Sequence, residues 1–275
     1  MSKRMDLKGR TAVVTGAASG IGRAIAQSLA RRGCHLALAD LNLAGLAETV
    51  ALVEAEAAGL RVSQHTLDVA DRVAVAALPD AVIAAHGTVD VLVNNAGVAL
   101  GGTFEQVSEA DFEWLFDINF WGVVRMTRAF LPHLKAAGDS RIVNLSSLYG
   151  LISPPGQAAY SASKFAVRGF SQALAHELAG TQVGITVVHP GGVATAIARN
   201  ARVPAGIPAA QVALQQKAFR KLLRLPPEVA GETIVRAIER RQRRVIVGTD
   251  AKLVSVLERL LPVHYWPCLM RLMPR

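Results

Sequence analysis

The 275-residue chain is 51% hydrophobic and 19% charged, a balance that excludes a disordered polymer and supplies enough apolar side chains to cover a sheet on both faces. Its length suits one α/β domain better than two. The net charge is +9, yet nine Lys/Arg against three Asp/Glu fall between Arg236 and Arg275, so the basicity belongs to the C-terminal end, and no nucleic-acid module accompanies it.

From the N-terminus, Met1 to Arg10 is polar and runs straight into an apolar stretch, which leaves no room for a signal or transit peptide and implies a cytoplasmic address. Thr11 to Thr15 reads as the first strand. It is followed at once by Thr15-Gly16-Ala17-Ala18-Ser19-Gly20-Ile21-Gly22, which opens a helix near Ile21. In that position Gly16 permits a sharp turn, Gly20 lets backbone amides approach a pyrophosphate, and Gly22 allows close packing of a helix whose N-terminus faces the anion. A three-glycine turn without a ligand is the alternative, since the spacing G-x-x-x-G-x-G is one residue longer than the commonest dinucleotide fingerprint.

Ala24 to Arg32 continues as a helix stopped by Gly33, and Leu36 to Asp40 is the second strand. Asp40 ends that strand, where a carboxylate accepts hydrogen bonds from both hydroxyls of an adenosine ribose and repels a 2′-phosphate. With no Lys or Arg at position 41 or just before Gly20, NAD is favoured over NADP. The alternative role for Asp40 is a helix N-cap. A helix over Ala44 to Ala58, stopped by Gly59, leads to a third strand at Arg61 to Thr66.

Further strands read at Val89 to Val93, Arg141 to Leu145, Ile185 to His189 and Val245 to Val247, seven in all. Most are continuously apolar rather than alternating, and helical stretches separate them, so the expected fold is a Rossmann-type doubly wound seven-stranded parallel sheet with helices on both faces. Residues 1–250 are expected to form the single dinucleotide-binding and catalytic domain, with a lid over about 194–227 that Pro204, Pro208, Pro226 and Pro227 interrupt. Residues 251–275 are an extension. Cys34 and Cys268 lie far apart without a C-x-x-C partner, so both read as free thiols and no metal site is expected.

In the helix after the fifth strand, Tyr160 and Lys164 form an i, i+4 pair on one face. An ammonium beside a phenol favours the phenolate and moves it toward working pH. Taken alone, Y-x-x-x-K is an ordinary helical surface pair. Together with T-G-x-x-x-G-x-G at 15–22, Asn94-Asn95-Ala96-Gly97, Ile118-Asn119-Phe120-Trp121-Gly122, Ser147 and Pro190-Gly191-Gly192-Val193-Ala194-Thr195, however, it resembles the short-chain dehydrogenase/reductase family over about Leu7 to Gly248.

That resemblance implies an oxidoreductase moving a hydride between a nicotinamide and a secondary alcohol or ketone. Tyr160 would act as acid/base, Ser147 as donor to the substrate oxygen, Lys164 as holder of the nicotinamide ribose, and Asn119 as the site of a water in the proton relay. Cofactor contacts would come from Gly16, Ser19, Gly20, Ile21, Gly22, Asp40, Leu41, Asp68, Val69, Asn95, Ala96, Gly97, Tyr160, Lys164, Pro190, Gly191, Val193 and Thr195, with Asp68 and Val69 beside the adenine. It also implies a homodimer or homotetramer built on the helices carrying Asn119 and Tyr160. A non-catalytic dinucleotide-binding regulator or scaffold of the same fold is the alternative. Ser146 and His189 read as structural, and Tyr149 as pocket wall.

The substrate pocket is expected to be lined by Val98, Leu148, Tyr149, Leu151, Pro155, Gly192 and Ile197, with Val203, Ile207, Val212, Leu214 and Phe219 from the lid. These residues suit a lipophilic partner: a steroid-, fatty- or aromatic-carbinol-like alcohol or ketone, or at the lower end a small ketol. In the tail, Leu253, Val256, Leu257, Leu260 and Leu261 make a helical stripe that charges and two prolines keep from spanning a membrane. An arm packing on this or a partner subunit is the favoured reading of the tail, and peripheral contact with anionic lipid is the other.

Overall fold

The computed structural model describes residues 4–204, 206–208, 210, 212, 213 and 222–272. Its strands are β1 (Thr11–Thr15), β2 (His35–Asp40), β3 (Val62–Thr66), β4 (Val91–Asn94), β5 (Ser140–Leu145), β6 (Val183–Pro190) and β7 (Arg244–Val247). They form one parallel sheet in the order β3-β2-β1-β4-β5-β6-β7. Strand order reverses between β1 and β4, and at such a switch point the carboxyl ends of the strands open a crevice.

The helices are α1 (Gly20–Ala30), α2 (Leu43–Glu56), α3 (Arg72–His86), α4 (Glu109–Phe116), α5 (Gly122–Ala136), α6 (Ala158–Glu177), α7 (Pro227–Glu239), α8 (Thr249–Leu260) and α9 (Tyr265–Leu272), with a π-helical turn, Asp117–Trp121, joining α4 to α5. Successive strand residues serve opposite faces. Val14 packs in a core with Ile25 and Leu29 of α1, Leu46 of α2 and Ile234 of α7, whereas Val13 packs with Val82 of α3 and with Met126 and Phe130 of α5. This double burial is why the strands are apolar throughout rather than alternating. Gly231 of α7 lies so close to α1 that a Cβ there would sit 2.6 Å from the Ala24 carbonyl carbon, and Arg32 clamps the two helices through Glu232 (2.9 Å) and Glu239 (2.8 Å).

The seven strands lie where the apolar runs put them, with shifts at the ends. β4 starts at Val91 rather than Val89, because the Asp90 carboxylate takes the Thr11 amide (2.9 Å) and the Arg10 guanidinium (2.9 Å) at the strand's entrance. The first helix ends at Ala30, two residues early, where the Gly33 amide turns back to the Ala30 carbonyl (2.8 Å). Both cysteines are free, and burial pushes the Cys34 thiol up to about 12. Helix α8 begins at Thr249, so it straddles the boundary expected between 250 and 251. Among the described residues, no helix is long and apolar enough to cross a membrane.

Candidate active site

The glycine turn sits at the carboxyl end of β1. Gly16 (φ +65°) and Gly20 (φ +55°) occupy the left-handed region, which other residues adopt only with strain. A Cβ on Gly16 would lie 2.7 Å from Asn95 Nδ2, and one on Gly22 would lie 2.6 Å from the same atom. The reason is that Asn95 staples the turn: its Nδ2 donates to the carbonyls of Thr15 (2.9 Å) and Gly16 (3.1 Å), while the backbone amides of Asn95 and Ala96 donate to Thr15 Oγ1 (3.0 and 3.1 Å). At the N-terminus of α1, Ser19 makes no side-chain cap, and the first turn carries no acidic residue. Uncapped amides, a positive helix end and glycines that exclude side chains together fit a pyrophosphate.

Asp40 stands at the rim of that turn. Its carboxylate accepts from the amides of Ala18 and Asn42, both at 3.0 Å. Helix α2 is capped by Asn42, which accepts from the Gly45 amide (3.0 Å), so Asp40 is not the helix cap. Leu41 is exposed beside it. Arg23, which sequence reasoning passed over, braces the turn from below by donating to the Ala18 carbonyl (2.5 Å) and pairing with Glu48 (2.7 Å). Asp68 accepts from the Ala70 amide (2.8 Å), and Val69 is buried beneath Gly122, where a Cβ would lie 2.8 Å from Val69 Cγ2.

Ser147, Tyr160 and Lys164 converge at the end of β5. Ser147 follows the strand and caps a short 3₁₀ turn, Leu148–Gly150, its hydroxyl accepting from the Tyr149 amide (3.1 Å). The same side chain favours the Tyr160 phenolate, opposing the effect of burial on that group. Lys164 is buried, with Nζ 5.7 Å from the centroid of the Tyr160 ring and donating to the Leu145 carbonyl (3.1 Å). Gly97 makes room for it: a Cβ at that position would lie 3.4 Å from Lys164 Nζ and 3.0 Å from Asn119 Oδ1.

Asn119 lies in the π-helical turn, fully buried. Its amide accepts from the Val98 N–H (2.8 Å) and donates to the Val98 carbonyl (3.0 Å) and to Ser163 Oγ (3.3 Å), so its side chain is committed to holding Val98. Ser146 donates to the Lys164 carbonyl (2.8 Å), away from the site. His189 is buried, with Nδ1 2.9 Å from the Ser147 carbonyl, while its Nε2 has no partner. Burial pushes it down to about 4, so the ring is neutral and Nδ1–H donates to Ser147. It is therefore a packed histidine, as the sequence suggested, but one that also holds the backbone of Ser147.

The electrostatics depart from the sequence expectation. Tyr160 keeps part of its surface open yet is crowded by protein, and this burial raises its pKa, with the Ser147 side chain opposing. Burial lowers Lys164 to about 8. Tyr149, edge-on to Tyr160 with ring centroids 6.0 Å apart, is pushed up to about 12. In the protein alone, desolvation of the phenol outweighs any help from the neighbouring ammonium, because a charge buried without an opposite partner is disfavoured.

Pro190 to Thr195 closes the site from the end of β6. The Gly191 amide donates to the Val247 carbonyl (2.9 Å), the Gly192 amide to Asp250 Oδ2 (2.8 Å), and the Ala194 amide to the Leu225 carbonyl (2.8 Å). Val193 pairs with Leu225. Thr195 reaches over the glycine turn, its Cγ2 3.1 Å from where a Cβ on Gly20 would stand. The segment that follows, expected from the sequence to be a lid, is pinned by Arg202, whose amide donates to the Ala99 carbonyl (2.9 Å) and whose guanidinium lies 3.9 Å over Trp114 and pairs with Asp111 (2.9 Å).

On the expected substrate side, Val98, Leu148, Tyr149, Gly192 and Ile197 are half-buried, as are Ile207 and Val212 of the expected lid. Leu151 is fully buried, and Pro155 and Val203 face solvent. Leu214 and Phe219 lie outside the described residues. An apolar cluster of Leu100, Leu115 and Ala159, with Val98 and Phe112 against it, backs Tyr160. The tail also reaches this side, Tyr265 Oη accepting from the Ser153 amide (3.0 Å). Among the described residues, no group of three or more His, Cys, Asp or Glu is placed to hold a metal ion.

Residues 10–205 match the family model described as short chain dehydrogenase. The chain is 49% identical to SadH of Mycobacterium tuberculosis over 262 residues, 94% of each protein. It is 35% identical to the 3-oxoacyl-[acyl-carrier-protein] reductase FabG of Thermotoga maritima over 191 residues, 70% of this chain and 77% of the reductase. A short-chain dehydrogenase/reductase from Burkholderia phymatum in complex with NAD superposes with a TM-score of 0.86 at 33% identity, covering 94% of this chain and 95% of that one. The chain belongs to the short-chain dehydrogenase/reductase family, and it is an oxidoreductase of the Rossmann-like α/β fold.

Proposed function

We propose that this oxidoreductase interconverts a lipophilic secondary alcohol and its ketone with NAD(H), Tyr160 being the acid/base group. The observation that carries this reading is the convergence at the end of β5 of Ser147, Tyr160 and a buried Lys164, whose Nζ lies 5.7 Å from the centroid of the Tyr160 ring. Bound nicotinamide supplies the hydride acceptor or donor.

The rest falls to the chain. The amides after Ser19 hold the pyrophosphate, and Asp40, already fixed by Ala18 and Asn42, accepts the adenosine ribose hydroxyls and repels a 2′-phosphate. Ser147 donates to the substrate oxygen, where charge develops, and His189 keeps its backbone in place. Tyr160 exchanges the hydroxyl proton. Lys164 holds the nicotinamide ribose, and the positive charge of oxidised nicotinamide supplies the pull on the phenol that burial opposes. Asn119 fixes the backbone at Val98, so its part in a proton relay is positional.

The apolar wall behind Tyr160 suits a hydrophobic carbinol or ketone, and so does the likeness to a reductase of 3-oxoacyl groups. A cytoplasmic homodimer or homotetramer, joined through the helices that carry Trp121 and Phe165, both solvent-exposed here, completes the reading. The test is a panel of lipophilic and polar alcohols and ketones, each with NAD and NADP, followed at the nicotinamide absorbance. Turnover of apolar members with NAD, lost in Tyr160→Phe, is the expected result. A sugar-like best substrate would overturn the substrate class, and unchanged turnover in Tyr160→Phe would overturn the mechanism.

A further inference from the structure

β7 is the last strand in the sheet order. Beside it, residues of α6, α7 and α8 wall a groove of about 830 Å³ that shares no residue with the Ser147–Tyr160–Lys164 centre. Arg168, Arg236, Arg240, Arg244, Lys252 and Arg259 line it, against one carboxylate, Glu258. Arg236 is paired with Glu232 (2.7 Å), and Arg168 donates to the Gly150 carbonyl (3.2 Å). Among the described residues, Arg168, Arg240, Arg244, Lys252 and Arg259 form no salt bridge within 4 Å. Burial lowers the Arg244 pKa, and the charge of Arg168 adds to it, the mark of cations crowded without enough anions.

An apolar ridge adjoins this groove. Leu253 (72% exposed), Val256 and Leu260 (73% exposed) recur at the spacing of one helical face on α8, and Val263 (79% exposed) and Met270 are exposed farther along the tail. Val256 belongs to both features. Large apolar side chains left exposed along one helical face point to an interaction site, and cations bordering them select the partner. A second copy docking two-fold on this face would bring the same unpaired arginines together, which like charges oppose. An anionic bilayer offers both halves of the complement: acidic headgroups for the groove and an acyl boundary for the ridge.

We propose that the α8–α9 face and the basic groove beside β7 form a docking surface for an anionic phospholipid bilayer. Leu253, Leu260 and Val263 enter the headgroup boundary, and Arg240, Arg244 and Arg259 meet the phosphates. The inference stands apart from the substrate reading, although docking here would bring the membrane to the tail that contacts Ser153.

The test is sedimentation of the full-length protein with vesicles of phosphatidylcholine alone or mixed with phosphatidylglycerol, at low and high salt. Partition onto the phosphatidylglycerol vesicles should exceed that onto phosphatidylcholine by about tenfold or more, and should fall with salt. The double variant Arg240→Glu/Arg259→Glu should lose about tenfold or more of this binding, and Leu253→Asp/Leu260→Asp should weaken it as well, both with wild-type turnover of soluble substrate as the check on folding. Three results would overturn the proposal: equal or absent partition onto the two vesicle types, binding undiminished by charge reversal, or a smaller particle by light scattering for Leu253→Asp/Leu260→Asp, which would assign the ridge to a subunit interface.

Discussion

The carboxylate of Asp250 accepts a hydrogen bond from the Gly192 amide at 2.8 Å and thereby ties the first turn of α8 to the loop at the end of β6. The contact explains the first of the paired glycines, since a Cβ on Gly191 would run into that carboxylate, whereas one on Gly192 would run into the Leu222 carbonyl. Removing the contact frees a loop that the family resemblance makes a cofactor contact, through Pro190, Gly191, Val193 and Thr195. Because the bond is exposed, its loss should cost about 1 kcal/mol, or about fivefold in dinucleotide affinity. Asp250→Ala should therefore raise KM for NAD about fivefold and leave kcat and Tm near wild type. A kcat loss at unchanged KM would count against this positioning role.

Lys164 should show function and stability pulling apart. Its folded pKa of about 8 lies below its ordinary 10.5, so the folded state disfavours the ammonium. The sign follows: between about pH 8 and about pH 10.5 the unfolded chain binds more protons, and this group makes stability rise with pH. Below that window the buried charge costs up to about 3 kcal/mol, only part of which the bond to the Leu145 carbonyl offsets. Lys164→Met should lose about a hundredfold or more in kcat while its Tm at neutral pH does not fall. A Tm several degrees lower would show the ammonium to be better paired than its burial implies.

Local patterns in the chain were legible, and distant partnerships were not. The glycine turn declared itself because Gly16 and Gly20 need positive φ and Gly22 needs close approach, all between an apolar run and a helix. The i, i+4 spacing of Tyr160 and Lys164 was equally visible, but the sign of their pKa shifts was not, since burial depends on what the rest of the chain packs around them. Asp250 meets Gly192 across 58 positions, His189 meets Ser147 across 42, and Tyr265 meets Ser153 across 112. No periodicity encodes such pairs. They are created by sheet order, which sets β5, β6 and β7 side by side.

Asp40 carries the proposed preference for NAD. Its two oxygens are fixed by separate amides, so a substitution that keeps one acceptor should preserve the turn while removing the negative charge. Asp40→Asn should raise KM for NAD by about tenfold, the equivalent of about one charge-assisted hydrogen bond. It should also narrow the gap between NAD and NADP, because repulsion of the 2′-phosphate goes with the charge. If the NAD/NADP ratio of kcat/KM stayed unchanged, the discrimination would lie elsewhere in the turn.

His189 predicts an acid limit. Its folded pKa of about 4 lies below the ordinary 6.5 because the ring is buried, its Nε2 without a partner, an effect that the bond to the Ser147 carbonyl only partly opposes. As pH falls below about 6.5 the unfolded chain takes up a proton that the folded protein refuses until about pH 4. The stability associated with neutral His189 is therefore complete above that window and lost through it, by up to about 3 kcal/mol. His86, also pushed down to about 4 by burial, adds a slope of the same sign, so wild type alone does not isolate either residue. His189→Asn keeps a donor near the Ser147 carbonyl and cannot titrate. Urea midpoints at about pH 7 and about pH 5 should fall further for wild type than for this variant. Equal falls would place the acid sensitivity outside His189, and a variant that kept its stability but lost turnover would show that the ring's shape, beyond its hydrogen bond, sets the Ser147 hydroxyl.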